Sequence, residues 1–241
     1  MSKSIKIFLA LAISAVTVWS FRIPPDAKFQ RPDLARILVW HLPCAILCAL
    51  LLFVGAWFAH KYLKTRDRVW DERTVTIHEL SMTFSIATMS TGILFSEAQW
   101  GAWWSWDPRQ TSFLIVMFVY AAYFVLRSSI SDPEKRAANS AAYALSALLP
   151  ALFLIFALPR ILMSLHPNDT ISGGNLKGQY LYMVLANMVL FSILSVWLYR
   201  LRVEAGLIAI DSELDNGQLA TGSSDPTPTG VVRPVRLSVE D

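Results

Sequence analysis

The sequence predicts an all-α integral membrane protein, a six-transmembrane-helix bundle with a Trp-rich loop on its outer side. Hydrophobic residues fill 54% of the 241 positions, charged residues only 16%, and the mean hydropathy is +0.44. A soluble domain carries about 25% charged residues, so this chain lacks the polar side chains to cover a globule of its size. Six segments also approach the ~20 apolar residues that a bilayer core demands. They show no alternation of the kind a barrel strand needs, so they read as helices. This composition excludes a water-soluble enzyme, a disordered protein and a nucleic-acid binder; the net charge of +3 is too small to imply a polyanionic partner. Two cysteines exclude a disulfide scaffold, a four-Cys zinc site and a Cys-ligated iron–sulfur cluster.

The spans run Ile5–Phe21, Ile37–Ala59, Val75–Phe95, Thr111–Ser128, Ala141–Ile161 and Tyr180–Leu201. Span 1, with Lys3 and Lys6 before it, reads as an uncleaved anchor, since no small-x-small cleavage site follows. Pro43 and Pro150 are expected to kink spans 2 and 5. Span 3 is the least apolar, with Ser81, Thr83, Ser85, Thr88, Ser90 and Thr91 inside it, hydroxyls that bond to their own helix or across to a neighbour. Twelve Lys and Arg residues fall on the side of the N-terminus and seven on the other, which places both termini in the cytoplasm. Residues 1–205 form the membrane domain. Residues 206–241 read as a flexible cytoplasmic tail, because from Asp211 onward Gly, Ser, Thr, Pro and Asp dominate without an apolar stripe.

Four of the nine tryptophans, Trp100, Trp103, Trp104 and Trp106, fall within seven positions of the loop 97–112 between spans 3 and 4. An interfacial aromatic belt explains one or two indoles per helix end, and Trp19, Trp40 and Trp197 suit it. Four together suit a platform for a large planar ligand, with Trp100, Trp103 and Trp104 on one face if the stretch is helical. Asp107 can cap span 4 through backbone N–H groups. Arg109 either anchors at the headgroups or meets an anionic group of a ligand.

Of the four histidines, His41 and His166 lie on the side of the tryptophan loop, His60 and His78 on the other. His41 and His60 are 19 residues apart, about 28 Å along a helix, too far for one site. His41 sits inside a membrane helix, where an ionisable group is a functional candidate; Pro167 stiffens the chain after His166. Facing each other over an aromatic platform, two neutral imidazoles would suit the iron of a haem; spacing alone does not bring them together. Cys44 and Cys48, one turn apart, read as small packing residues.

The run Trp100-Gly101-Ala102-Trp103-Trp104-Ser105-Trp106-Asp107-Pro108-Arg109, preceded by Thr91-Gly92, resembles the "WWD" signature of the haem-handling proteins of cytochrome c biogenesis. With His41-Leu42-Pro43 and Leu165-His166-Pro167 it resembles the haem exporter protein C (CcmC) family over residues 5–202, departing from the family pattern at Phe95 and Glu97. The resemblance implies haem b bound non-covalently and transiently at the periplasmic face of the inner membrane. His41 and His166 would be the axial ligands, and Trp100, Trp103, Trp104, Trp106, Asp107 and Arg109 the platform and its surround. It implies a carrier rather than an enzyme, handing haem to the membrane haem chaperone (the E component). Further partners would be an ATP-binding-cassette complex (A and B) and a single-span D component. Two other readings compete: a synthetase-type ligation component, which needs an inner histidine pair such as His60 and His78, and a cofactor-free transporter with a polar path near the hydroxyls of span 3 and Asn187.

Overall fold

The computed structural model describes residues 3–166 and 176–221, with the side chains of 213–221 excepted. Among the described residues there is no strand; the helices are α1 (Lys3–Ser20), α2 (Leu38–Thr65), α3 (Arg68–Trp100), α4 (Pro108–Ser129), α5 (Pro133–Leu152), the four-residue α6 (Leu158–Ile161) and α7 (Gly178–Thr221). Five of the long helical stretches are apolar enough to cross a membrane. The sixth, α3, is long enough at 33 residues but carries too many polar side chains. Most of its polar residues point inward: Asp71, Glu72, Thr74, Thr76, His78, Ser81, Ser85 and Thr88 are all buried, whereas Thr83, Ile86, Ser90 and Leu94 stay exposed, so α3 packs its polar face against its neighbours and keeps an outer face.

Helix starts follow local chemistry. Asp67, Asp107 and Asp132 each accept a backbone N–H of the first turn, from Val69, Arg109 and Lys135 at 2.9, 2.8 and 2.8 Å. Pro108 and Pro133 occupy the first helical position, where their missing N–H costs nothing. Pro43 and Pro150 both stay inside their helices. Just beyond Pro150, α5 widens into a π-helical turn, Phe153–Ala157, before α6.

Apolar packing joins the helices at three levels. Tyr62, Val75, Tyr123 and Ala141 bring α2, α3, α4 and α5 together at the end away from the tryptophan loop. Leu52, Tyr120 and Ala147 pack across the middle. At the loop end, Ile23, Val39, Tyr180 and Met183 lock the segment after α1 against α2 and α7. Phe53, Trp57, Phe118, Val125, Leu149 and Val189 stay exposed on the outer faces, as a lipid-facing surface requires. The span 3 hydroxyls bond as expected: Ser85, Thr88 and Thr91 donate to carbonyls of their own helix. Ser81 donates across to the Cys48 carbonyl at 2.9 Å. Asn187 donates to the Val39 carbonyl at 2.8 Å, tying α7 to α2; these groups close a helix interface rather than line a path.

One boundary moves. The last helix does not end near Leu201 but continues to Thr221, so the stretch 206–221 of the expected flexible tail is helical, and 222–241 lies outside the described residues. Apolar residues persist beyond Leu201, with Leu207, Ile208 and Ile210 between the charges, and Arg202 on this helix meets Glu72 and Glu79 of α3 at 2.6 and 2.9 Å.

Candidate haem site

The tryptophan loop is not a helical turn. α3 stops at Trp100 because Gly101 takes the left-handed conformation (φ +72°), its N–H closing back on the Glu97 carbonyl at 3.0 Å. Trp100, Trp103 and Trp104 therefore do not share a helical face, which corrects the expectation from their spacing. Residues 101–107 cross from α3 to α4, pinned by Ser96 Oγ donating to the Ala102 carbonyl at 2.7 Å. Ser105 Oγ donates to Gln110 Oε1 at 3.2 Å at the other end. Trp106 holds φ +55°, a sparsely populated conformation for an aromatic residue, and presents its indole 76% exposed. Trp103 is 57% exposed. Trp104 is half-buried, edge-on to Trp106 at 5.8 Å. Trp100 turns inward, against Phe95 and against the His166 ring at 4.7 Å.

His41 stands in the first turns of α2. Its Nδ1–H is shared between the Thr88 carbonyl and Thr91 Oγ1, both at 3.1 Å on α3. A carbonyl only accepts, so Nδ1 carries the proton and Nε2 keeps its lone pair. Gly92 gives the ring its room: a Cβ there would lie 3.1 Å from His41 Cε1.

His166 uses the same nitrogen on a different partner. Its Nδ1–H donates to Asp107 Oδ1 at 3.0 Å, again leaving Nε2 free. Asp107 is the hub here, its side chain only 1% exposed. Besides capping α4, it accepts from Ser164 Oγ at 2.9 Å and the Leu165 N–H at 2.6 Å. Burial acts to raise its pKa, but the N–H groups of Leu165 and Arg109, His166 and Ser164 outweigh burial and hold the carboxyl below the usual range. Burial, helped by Arg109, holds His166 below the ordinary histidine range, with Asp107 pulling the other way.

The fold brings these groups together. His41 lies within electrostatic reach of both His166 and Arg109, and Arg109 within reach of Arg160. His60 and His78 do not pair. His60 is exposed beside Trp57, whereas His78 is 1% exposed, sealed by Tyr120, Tyr123 and Gly55. Sequence reasoning missed Ser164, Leu165, Thr88 and Thr91 as supports, because each acts through a partner on another helix or loop. Pro167 lies outside the described residues.

Residues 1–216, which include every group of this site, match the family model described as Heme exporter protein C. The chain belongs to that family. Relatives named Heme exporter protein C include one from Paracoccus denitrificans, 25% identical over 188 residues and covering 77% of each chain. Another, from Rhodobacter capsulatus, is 28% identical over 120 residues, 50% of this chain and 49% of the relative. The Escherichia coli K12 relative is 29% identical over 143 residues, 55% of each. The chain thus spans about half the length of the latter two relatives in these matches. Family and helices together make it a multi-pass membrane protein.

Proposed function

We propose that this chain binds haem b, non-covalently and transiently, at the tryptophan-loop end of the bundle and delivers it for c-type cytochrome assembly. Family membership supports the delivery role. The observation that carries the site is the shared state of two imidazoles from distant parts of the chain. His41 and His166 lie within reach of each other's charge, and each commits Nδ1 to the protein and leaves Nε2 as a lone pair. An iron between them needs that pair of donors.

The remaining groups fit the rest of a porphyrin. Trp103, Trp104 and Trp106 offer apolar, polarizable ring surface at the mouth, with Trp100 packed behind His166. Arg109 supplies positive charge beside both imidazoles for a propionate. Exposed indoles favour face contact over enclosure, and an open site suits a carrier that must release its load. On this reading the protein is a carrier and not an enzyme. The site faces the periplasm from the inner membrane, with both termini cytoplasmic. The receiver is the membrane haem chaperone, the E component, and the chain works beside the A and B components of an ATP-binding-cassette complex and the small D component.

The test is an absorbance spectrum of the detergent-purified protein before and after reduction. The wild type should show a Soret band with bis-imidazole features, and His41→Ala and His166→Ala should each abolish or strongly reduce it. Wild-type spectra from both variants overturn the axial assignment.

A further inference from the structure

The two imidazoles are held by acceptors of unequal strength, and this difference is built into the fold. His41 donates its Nδ1–H to neutral oxygens, the Thr88 carbonyl and the Thr91 hydroxyl. His166 donates to the carboxylate of Asp107, whose two oxygens also accept from the Arg109 and Leu165 N–H groups and Ser164 Oγ, the acceptor-only pattern of an ionised carboxylate. A hydrogen bond to an ionised acceptor is roughly twice as strong as a neutral one. It also draws the Nδ1 proton away from the ring and makes Nε2 a more basic ligand.

Resting on the haem-site reading above, we propose that Asp107 is a positioning residue that makes His166 the stronger of two unequal ligands and leaves His41 the weaker one. Three features support it. The carboxylate is sealed from solvent, so its charge acts on His166 through little intervening water. Its orientation is over-determined by the Arg109 and Leu165 N–H groups and Ser164 Oγ. Ser164 Oγ also accepts the His166 backbone N–H at 3.1 Å, so residues 164–166 are fastened to the start of α4, while His41 belongs to the α2–α3 pair. The two ligands thus sit on separate supports and differ in donor strength. A partner that needs one coordination position vacated finds it at His41.

The test compares Asp107→Asn with Thr91→Val. Asparagine keeps an oxygen that can cap α4 and accept from Ser164, gives up the acceptor for the Leu165 N–H and removes the charge beside His166, so a melting curve accompanies the comparison. In protein without haem, ring-nitrogen NMR of His166 should show Nδ1 protonated and strongly deshielded, and Asp107→Asn should move that signal. With haem, Asp107→Asn should weaken binding about 10- to 100-fold. The ferric-over-ferrous preference should fall about tenfold, a rise of about 59 mV in midpoint potential. Thr91→Val, which leaves the Thr88 carbonyl in place, should change either quantity less than threefold. Two results overturn the proposal: an unmoved affinity and potential in Asp107→Asn, or an equal shift in Thr91→Val. If the nitrogen signal responds to Asp107→Asn but the Soret band does not depend on His166, the haem-site reading fails instead.

Discussion

Gly92 lies directly under the imidazole of His41, so close that a Cβ at that position would stand 3.1 Å from Cε1. A glycine inside a helix costs about 0.5–1 kcal/mol relative to alanine, and α3 accepts that cost where the His41 ring comes close to it. Gly92→Ala should therefore press on the ring and lower haem affinity by more than it changes thermal stability, and Gly92→Leu should remove binding. Soret titration beside a detergent melting curve separates the two effects. If Gly92→Leu binds haem normally, the ring does not need this seat.

Trp103 and Trp104 should matter through contact, not folding, since neither anchors a helix end. An aromatic contact contributes about 0.5–1.5 kcal/mol beyond area burial, so each indole removed should weaken haem retention about 2- to 12-fold. The double variant Trp103→Ala/Trp104→Ala should insert at wild-type levels yet retain and transfer less haem to the chaperone. Unchanged transfer would demote the loop to a membrane belt.

The helices were legible because long apolar runs without alternation admit little else in a bilayer, and because Asp-Pro pairs punctuate two helix starts. Span 3 was legible from the apolar residues between its hydroxyls, though only packing explains which way its polar side chains face. The loop conformation was not legible: Gly101 is compatible with a helix until its positive φ is seen. Nor could spacing place Asp107 beside His166, 59 positions away, or reveal that His41 rests on Gly92. These contacts come from helices meeting in space. The histidines were found as residue types, and their supports only as partners.

His78 carries a different expectation. Neither ring nitrogen has a hydrogen-bond partner, and the facing Tyr120 and Tyr123 hydroxyls have none either. A buried polar group left unpaired costs about 1–3 kcal/mol. His78→Leu should thus fold at least as stably as wild type and keep its haem spectrum. Gly55→Leu should be destabilising, since even a Cβ at Gly55 would stand 2.5 Å from the His78 ring. Loss of haem from a well-folded His78→Leu protein would draw the inner histidine into the haem path.

At the far end of α3, Arg127 and Asp71 form a two-pronged pair at 2.7 and 2.8 Å with little solvent contact. Removing one partner strands a buried charge, typically at about 3–5 kcal/mol. Arg127→Leu alone should lower the melting temperature sharply, and Asp71→Leu/Arg127→Leu should recover most of the loss. Equal destabilisation of the single and double variants would mean that packing, not charge, holds this end together.

Acid should act on the site in two stages. His166 is held below its ordinary pKa, chiefly by burial, so the unfolded chain binds the proton first. The stability this contributes is complete above about pH 6.5 and declines as pH falls below it toward the lowered native value. Asp107 is also held low. Its contribution is complete above about pH 3.9, the ordinary carboxylate value, and is lost only as pH falls through the native one. Neutral Nε2 of His166 therefore persists below pH 6.5, and haem should stay bound there. Asp107→Asn removes the one group that eases protonation of His166, so its ring should titrate still lower. Nitrogen NMR of the ring across pH 4–8 reads this directly. A His166 that titrates at or above 6.5 in the wild type would mean that the pull of Asp107 outweighs burial.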